Sequence, residues 1–279
     1  GTFSRSWQSI IVSARSHDLQ APAHGIHVND CPKPAMAQCR RAIRSAPCRR
    51  LRGQEGTAER CGAAVDEAAH ALIEQPLLHS ASIGVVYRGK TFIRHRGEMV
   101  AGKPEVPTDA TLYEIGSLSK TLAGTLMARA VLEGRVGLED DVRSYLQGDY
   151  PNLQYKGEPI RIRHLLSHTS GLPNMLPERA NEVLENFTDQ RTPQELNAVY
   201  AYYGKADFFR DLHAVEIQQA PGKDYAYSSV GTELTAHILE TVYKTDYELL
   251  LRRFFSDSAA MTDLQIRLND AGAKRLAVG

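Results

Sequence analysis

A chain of 279 residues, 42% hydrophobic and 24% charged, is composed like a globular protein with an ample core, and its length allows one large domain or two small ones. Its 33 basic residues balance 33 acidic ones, which excludes the strongly basic character of a dedicated nucleic-acid binder. No apolar run approaches the ~18 residues of a membrane-spanning helix.

The balance hides an asymmetry. Residues 1–61 carry nine Arg and one Lys against four acids, so the rest of the chain is net acidic. All four cysteines (Cys31, Cys39, Cys48, Cys61) and four prolines fall in the same segment. It has no sustained periodicity and reads as a disordered arm. The Cys spacings match no paired zinc-binding pattern, and a disulfide framework, an Arg-rich transit segment or a mistranslated upstream extension are the alternative readings.

From residue 62 the pattern turns regular. Val65, Ala68, Ala69, Leu72 and Ile73 predict a helix over Ala63–Gln75, stopped by Pro76. Ser82–Tyr87 and Thr91–Gly97 predict a hairpin around Arg88-Gly89-Lys90. Residues 101–110 are a loop, Thr111–Ile115 a short strand, and Ser117–Leu132 a helix ended by Gly134. Helices are predicted over Asp140–Leu146, Ile162–Ser167, Pro193–Tyr203, Lys205–His213, Ser229–Tyr243 and Tyr247–Phe255. The order is helix, hairpin, helical block, an α+β (mixed α/β) architecture whose sheet needs more strands than these.

Three local constellations carry candidate chemistry. Ser117 stands three residues before Lys120, at the start of a predicted helix. That spacing puts both side chains on one helical face. A lysine held there can take the serine proton and make a nucleophile, while the helix N-terminus favours negative charge on a substrate oxygen. The plain alternative is an N-cap serine beside a solvated lysine. The second constellation runs His164-Leu165-Leu166-Ser167-His168-Thr169-Ser170-Gly171-Leu172-Pro173. His164 and His168 have the spacing for a shared zinc ion, but no Glu follows the first and no third ligand is evident, so no metal is expected. A helix end and turn, with polar groups satisfying loop backbone, is the simpler reading. The third is Pro221-Gly222-Lys223-Asp224-Tyr225-Ala226-Tyr227-Ser228-Ser229. Tyr227 is either a half-buried packing residue or a proton-transfer group tuned by a nearby lysine.

Together these segments resemble the serine β-lactamase-related hydrolases: class C β-lactamases, D-alanyl-D-alanine carboxypeptidases, and esterases and amidases of the same fold. Gly116–Thr121 is similar to that family's segment around S-x-x-K, His164–Pro173 to its His-Leu-Leu block, and Pro221-Gly222 with Tyr227-Ser228 to its Pro-Gly and Tyr-Ser-Asn elements. Leu138-Glu139-Asp140-Asp141-Val142 looks like the stretch that follows the nucleophile helix. The resemblance covers roughly 63–279.

It implies a β-lactamase/transpeptidase-like fold, an antiparallel sheet flanked by helices plus an all-helical subdomain, over residues 62–279. It also implies acyl transfer with Ser117 as nucleophile and Lys120 and Tyr227 sharing the base role, without metal or organic cofactor. The partner would be a small-molecule or peptide acyl substrate, with neither nucleic acid nor a membrane span involved. Ser229 stands where the family has Asn, so a substrate-binding amide is expected to be replaced by a hydroxyl, and β-lactam turnover is less expected than ester or peptide cleavage. The family's later Lys-Thr-Gly or His-x-Gly strand is not found before Gly279. The chain is therefore expected to lack the C-terminal sheet strands. Both departures would also fit a non-catalytic relative that binds or scaffolds.

Overall fold

The computed structural model describes residues 11–13, 57–74 and 78–278. They fall into two compact units, one holding strand β1 (Ile11–Ser13) and Leu112–Arg275, the other 57–74, 78–111 and 276–278.

The second unit is a helix on a hairpin. Helix α1 (Thr57–Ile73) begins ahead of the expected Ala63 and so crosses into the segment read as an arm, with Cys61 a free thiol within it. Cys31, Cys39 and Cys48 lie outside the described residues. Strands β2 (Ser80–Tyr87) and β3 (Lys90–Gly97) pair antiparallel, Tyr87 opposite Lys90 and Ser80 opposite Gly97. The two turn residues, Arg88 and Gly89, have φ of +50° and +75°, the signature of a type I′ turn matched to the twist of the strands. Val65 and Ala69 of α1 are buried. Beside them Asp66 accepts hydrogen bonds from Arg94 at 2.6 Å and Arg96 at 2.9 Å, tying helix to hairpin.

The larger unit opens with β4 (Leu112–Glu114), which pairs antiparallel with β1 so that Ile11 faces Glu114. Gly116, at φ +51°, turns the chain into a 3₁₀ segment (Gly116–Leu118) that leads into helix α2 (Ser119–Leu132). Gly134, at φ +68°, ends α2 as its position in the sequence predicts.

The helix expected over Asp140–Leu146 is only one 3₁₀ turn, Val142–Tyr145. Tertiary pairing explains the difference. The Val142 N–H donates to the Ile160 carbonyl, while Ile162 and Arg163 donate to the carbonyls of Asp140 and Leu138. These backbone groups are therefore committed across the fold and not along a helix. A two-residue ladder, β5 (Gln154–Tyr155) with β6 (Glu158–Pro159), precedes α3 (Ile162–Leu166).

The remaining helices are α4 (Glu178–Leu184), α5 (Thr192–Tyr200), α6 (Lys205–His213), α7 (Ser229–Tyr243), α8 (Tyr247–Ala259) and α9 (Asp270–Ala273). Helix α7 is the centre. Its residues Leu234, Ile238 and Leu239 are wholly buried, in one core with Leu126 and Met127 of α2, Leu165 of α3, Phe208 and Leu212 of α6, and Leu251 of α8. Each such side chain contributes about 1.5–3 kcal/mol by leaving water. A satellite cluster of Met175, Ala180 and Tyr200 holds α4 to α5.

The described strands thus form three two-stranded antiparallel ladders among helices, the mixed α+β architecture the sequence predicts. No described helix is long and apolar enough to cross a membrane.

Candidate active site

Ser117 and Tyr227 each sit two residues ahead of a helix, α2 and α7 respectively. Packing of α2 on α7 brings the two helix starts together. The Ser117 Oγ and Tyr227 hydroxyl are 2.6 Å apart, and Lys120 Nζ donates to Ser117 Oγ at 3.3 Å. Lys120 Nζ also lies 4.9 Å from the centre of the Tyr227 ring, within cation–π range. Ser117 is exposed, Lys120 half-buried and Tyr227 38% exposed. The serine is therefore reachable while its proton partners are partly withdrawn from water.

These contacts set the acidity of the phenol. Burial works to raise the Tyr227 pKa, but hydrogen bonding with Lys120 and Ser117 and the charge of Lys120 together outweigh it and leave the group below its usual value. A phenol shifted this way is a better proton acceptor near neutrality than an ordinary tyrosine.

The loop carrying Tyr227 is fixed from several directions. Ser228, 1% exposed, caps α7 by accepting the Gly231 N–H at 2.9 Å and donates to the Pro173 carbonyl at 2.7 Å. The N–H groups of Ser229 and Val230 donate to the Asn174 carbonyl. Gly222, at φ +92°, donates to the Thr169 carbonyl at 2.7 Å, and a Cβ there would lie 3.0 Å from His164 Nε2. The left-handed backbone and that close approach both favour glycine.

The His164–Pro173 block is the cradle of this loop. His164 is buried and its Nδ1 accepts the Arg161 N–H at 3.1 Å. His168, at φ +55°, accepts the Ala226 N–H on its carbonyl at 2.8 Å and the Ser228 N–H on Nδ1 at 3.2 Å. Its ring lies 4.6 Å from that of Tyr227. Burial first, and then the charge of Lys120, lower the His168 pKa. The two histidines thus address different backbone groups.

Of the four residues singled out from sequence, three converge: Ser117, Lys120 and Tyr227. Ser229 is different. Its side chain is buried, and its hydroxyl donates to Asn174 Oδ1 at 3.3 Å. That contact ties Ser229 to the Asn174 loop. His168 satisfies loop backbone, as the simpler reading of its segment expects, whereas Asn174 is the residue sequence reasoning passed over. The only hint of Asn174 was the Gly-Leu-Pro turn just before it.

A protein-family model described as beta-lactamase matches residues 65–279. The chain belongs to the beta-lactamase family. Among curated proteins of this kind it is similar to Protein flp of Staphylococcus aureus, strain MRSA252, 27% identical over 200 residues, which is 71% of this chain and 37% of that protein. A beta-lactamase of Providencia stuartii is 31% identical over 143 residues, covering 50% of this chain and 36% of its own. The chain thus spans little more than a third of the length of these curated relatives. Among solved structures, a beta-lactamase/D-alanine carboxypeptidase from Yersinia pestis, complexed with citrate, aligns with a TM-score of 0.67 at 25% identity, over 78% of this chain and 58% of that one. The beta-lactamase/transpeptidase-like fold follows, with its helical block around α7.

Proposed function

We propose that this member of the beta-lactamase family is a serine hydrolase that works through an acyl-enzyme on Ser117. The observation that carries the reading is the three-way contact of Ser117 Oγ with the Tyr227 hydroxyl at 2.6 Å and Lys120 Nζ at 3.3 Å. The shorter contact supports Tyr227 as the immediate proton acceptor, with Lys120 as the cation that lowers its pKa.

In this mechanism Ser117 Oγ attacks the substrate carbonyl carbon while its proton passes to the phenolate form of Tyr227, which the Lys120 cation stabilises. The oxyanion forms beside the N-terminus of α2, where the Ser117 backbone amide is one donor and the helix dipole favours negative charge. The Tyr227 proton then goes to the leaving group as the carbonyl re-forms. Water, deprotonated by the same pair, releases the acyl group and returns the proton to Ser117.

Ester and D-Ala-peptide-type acyl donors are the preferred substrates in this reading, ahead of β-lactams, because Ser229 replaces an amide and is buried against Asn174. A chromogenic ester and a chromogenic cephalosporin assayed side by side separate the cases. Ester cleavage without cephalosporin cleavage is expected. Cephalosporin turnover as fast as ester turnover would overturn the substrate preference, and no turnover of either would favour a non-catalytic, substrate-binding role.

A further inference from the structure

We propose that His168 is the positioning residue that holds Tyr227 against Ser117, and that its neutral imidazole is the form that does so. The inference rests on the reading that Ser117 is acylated with Tyr227 as its proton partner.

His168 grips the backbone on both sides of Tyr227. Its carbonyl takes the Ala226 N–H at 2.8 Å and its Nδ1 takes the Ser228 N–H at 3.2 Å. Between these two bonds the imidazole lies 4.6 Å from the Tyr227 ring at an interplanar angle of 34°. The Tyr225 ring meets the imidazole edge-on at 5.9 Å. One residue thereby fixes the chain before, at and after the tyrosine whose hydroxyl touches Ser117.

The backbone supports a use for the side chain. His168 has φ +55°, a left-handed conformation that costs any residue with a Cβ and that glycine adopts freely. A histidine placed there accepts strain that a glycine would avoid, and strain of this kind collects where a side chain is needed.

The protonation state follows from the hydrogen bond. Nδ1 accepts the Ser228 N–H, so the ring proton of the neutral form sits on Nε2. Protonating Nδ1 would point one N–H at another. The groups packed on the imidazole are Lys120 from α2 and the phenols of Tyr225 and Tyr227 from the loop before α7. An imidazolium would add a second positive charge beside Lys120. Burial and Lys120 accordingly keep its pKa below the ordinary 6.5. Acidification past that point should release the Ser228 bond and loosen Tyr227 before the fold is lost.

Two substitutions in the full chain separate this role from a merely structural one. His168→Asn tolerates φ > 0 and places an amide oxygen where Nδ1 was, but cannot titrate. His168→Gly relaxes the backbone and keeps the carbonyl bond to Ala226, but removes the ring. The readouts are the saturating rate of Ser117 acylation by a p-nitrophenyl ester as a function of pH, and the ¹⁵N shift of His168 Nδ1.

In the native chain the rate, which already declines with falling pH as Tyr227 takes up its proton, should fall more steeply below pH 6.5, with Nδ1 unprotonated at pH 8. His168→Asn should keep the rate at pH 8 within roughly fivefold and lose that added steepness, while His168→Gly should slow acylation by roughly tenfold or more with little change in KM. No steepening in the native chain, an unchanged steepening in His168→Asn, a native rate in His168→Gly, or a protonated Nδ1 at pH 8 would each overturn the proposal. If Ser117→Ala still forms the acyl adduct, the reading of the site fails instead, which keeps the two failures distinct.

Discussion

The Ser117 Oγ and the Tyr227 hydroxyl meet at 2.6 Å although 110 residues separate them in the chain. The contact exists because α2 and α7 pack through Leu126, Met127, Leu234 and Ile238 and so present their N-terminal ends together. Core packing thereby places a serine hydroxyl, a phenol and an ammonium within one hydrogen-bonded group. Both helix dipoles have their positive ends there.

The first consequence concerns pH. Because Lys120 and Ser117 leave the Tyr227 phenol below its ordinary pKa of 10.0, the acylation rate should rise with pH and level off before pH 10. Lys120→Met removes a hydrogen bond and a positive charge, so the same limb should move to higher pH. Tyr227→Phe should slow acylation by about 10²–10⁴ with little change in melting temperature. Stopped-flow acylation across pH 6–11 reads all three. A Lys120→Met limb at the native position would count against the assignment.

Ser228 tests the support of the loop. Its hydroxyl caps α7 through Gly231 and bonds to Pro173 while 1% exposed. Ser228→Ala leaves a helix N–H and a buried carbonyl without that partner, at a cost of about 2 kcal/mol. Urea unfolding should show that loss, together with slower acylation than in the native chain. Unchanged stability would mean the cap is dispensable.

A buried carboxyl makes a separate prediction in α7. Burial pushes the Glu233 carboxyl up to about 8 from 4.5, so the native state holds a proton there that the unfolded chain has already released. Between those two values unfolding releases a proton, and stability falls as pH rises, by up to about 1.4 kcal/mol per pH unit. Below 4.5 both states are protonated and the effect vanishes. Glu233→Gln should therefore flatten the dependence and be the more stable protein at pH 8, as urea melts at pH 5, 6, 7 and 8 would show. Parallel curves for the two proteins would refute it.

Much of this structure was legible in the residues. Helices α6 and α7 run over the ranges their periodicity predicts, Lys205–His213 and Ser229–Tyr243, because each carries a local start signal. Gly204 precedes α6 with Asp207 bonding back to its N–H, and Ser228 caps α7. Gly134 stops α2 for a reason written in its lack of a Cβ. Ser117 and Lys120 were visible as a pair one turn apart, whereas Tyr227 stood between packing and proton transfer, and only the family resemblance joined it to Ser117, since nothing local ties the two.

What stayed hidden depends on tertiary context. The segment 140–146 has helical residues, but its backbone bonds run to 160–163. Helix α4 buries only Ala180 and Val183 and so lacks a periodic apolar face. The β5–β6 ladder turns on Lys156 and Gly157, both with positive φ, which no alternation of apolar residues announces. The part played by His168 rests on a left-handed backbone at a histidine, and single-residue strain leaves no pattern in a sequence. The contact of Ser229 with Asn174 joins residues 55 apart in the chain, and no local pattern announces it.

Covalent labelling is the direct test of Ser117 as nucleophile. The purified chain, treated with a fluorophosphonate probe and analysed by intact mass and peptide mapping, should carry one adduct on Ser117. Labelling should be absent in Ser117→Ala and strongly slowed in Tyr227→Phe. An adduct of equal yield in Ser117→Ala, or one mapped to another serine in the native chain, would contradict the account.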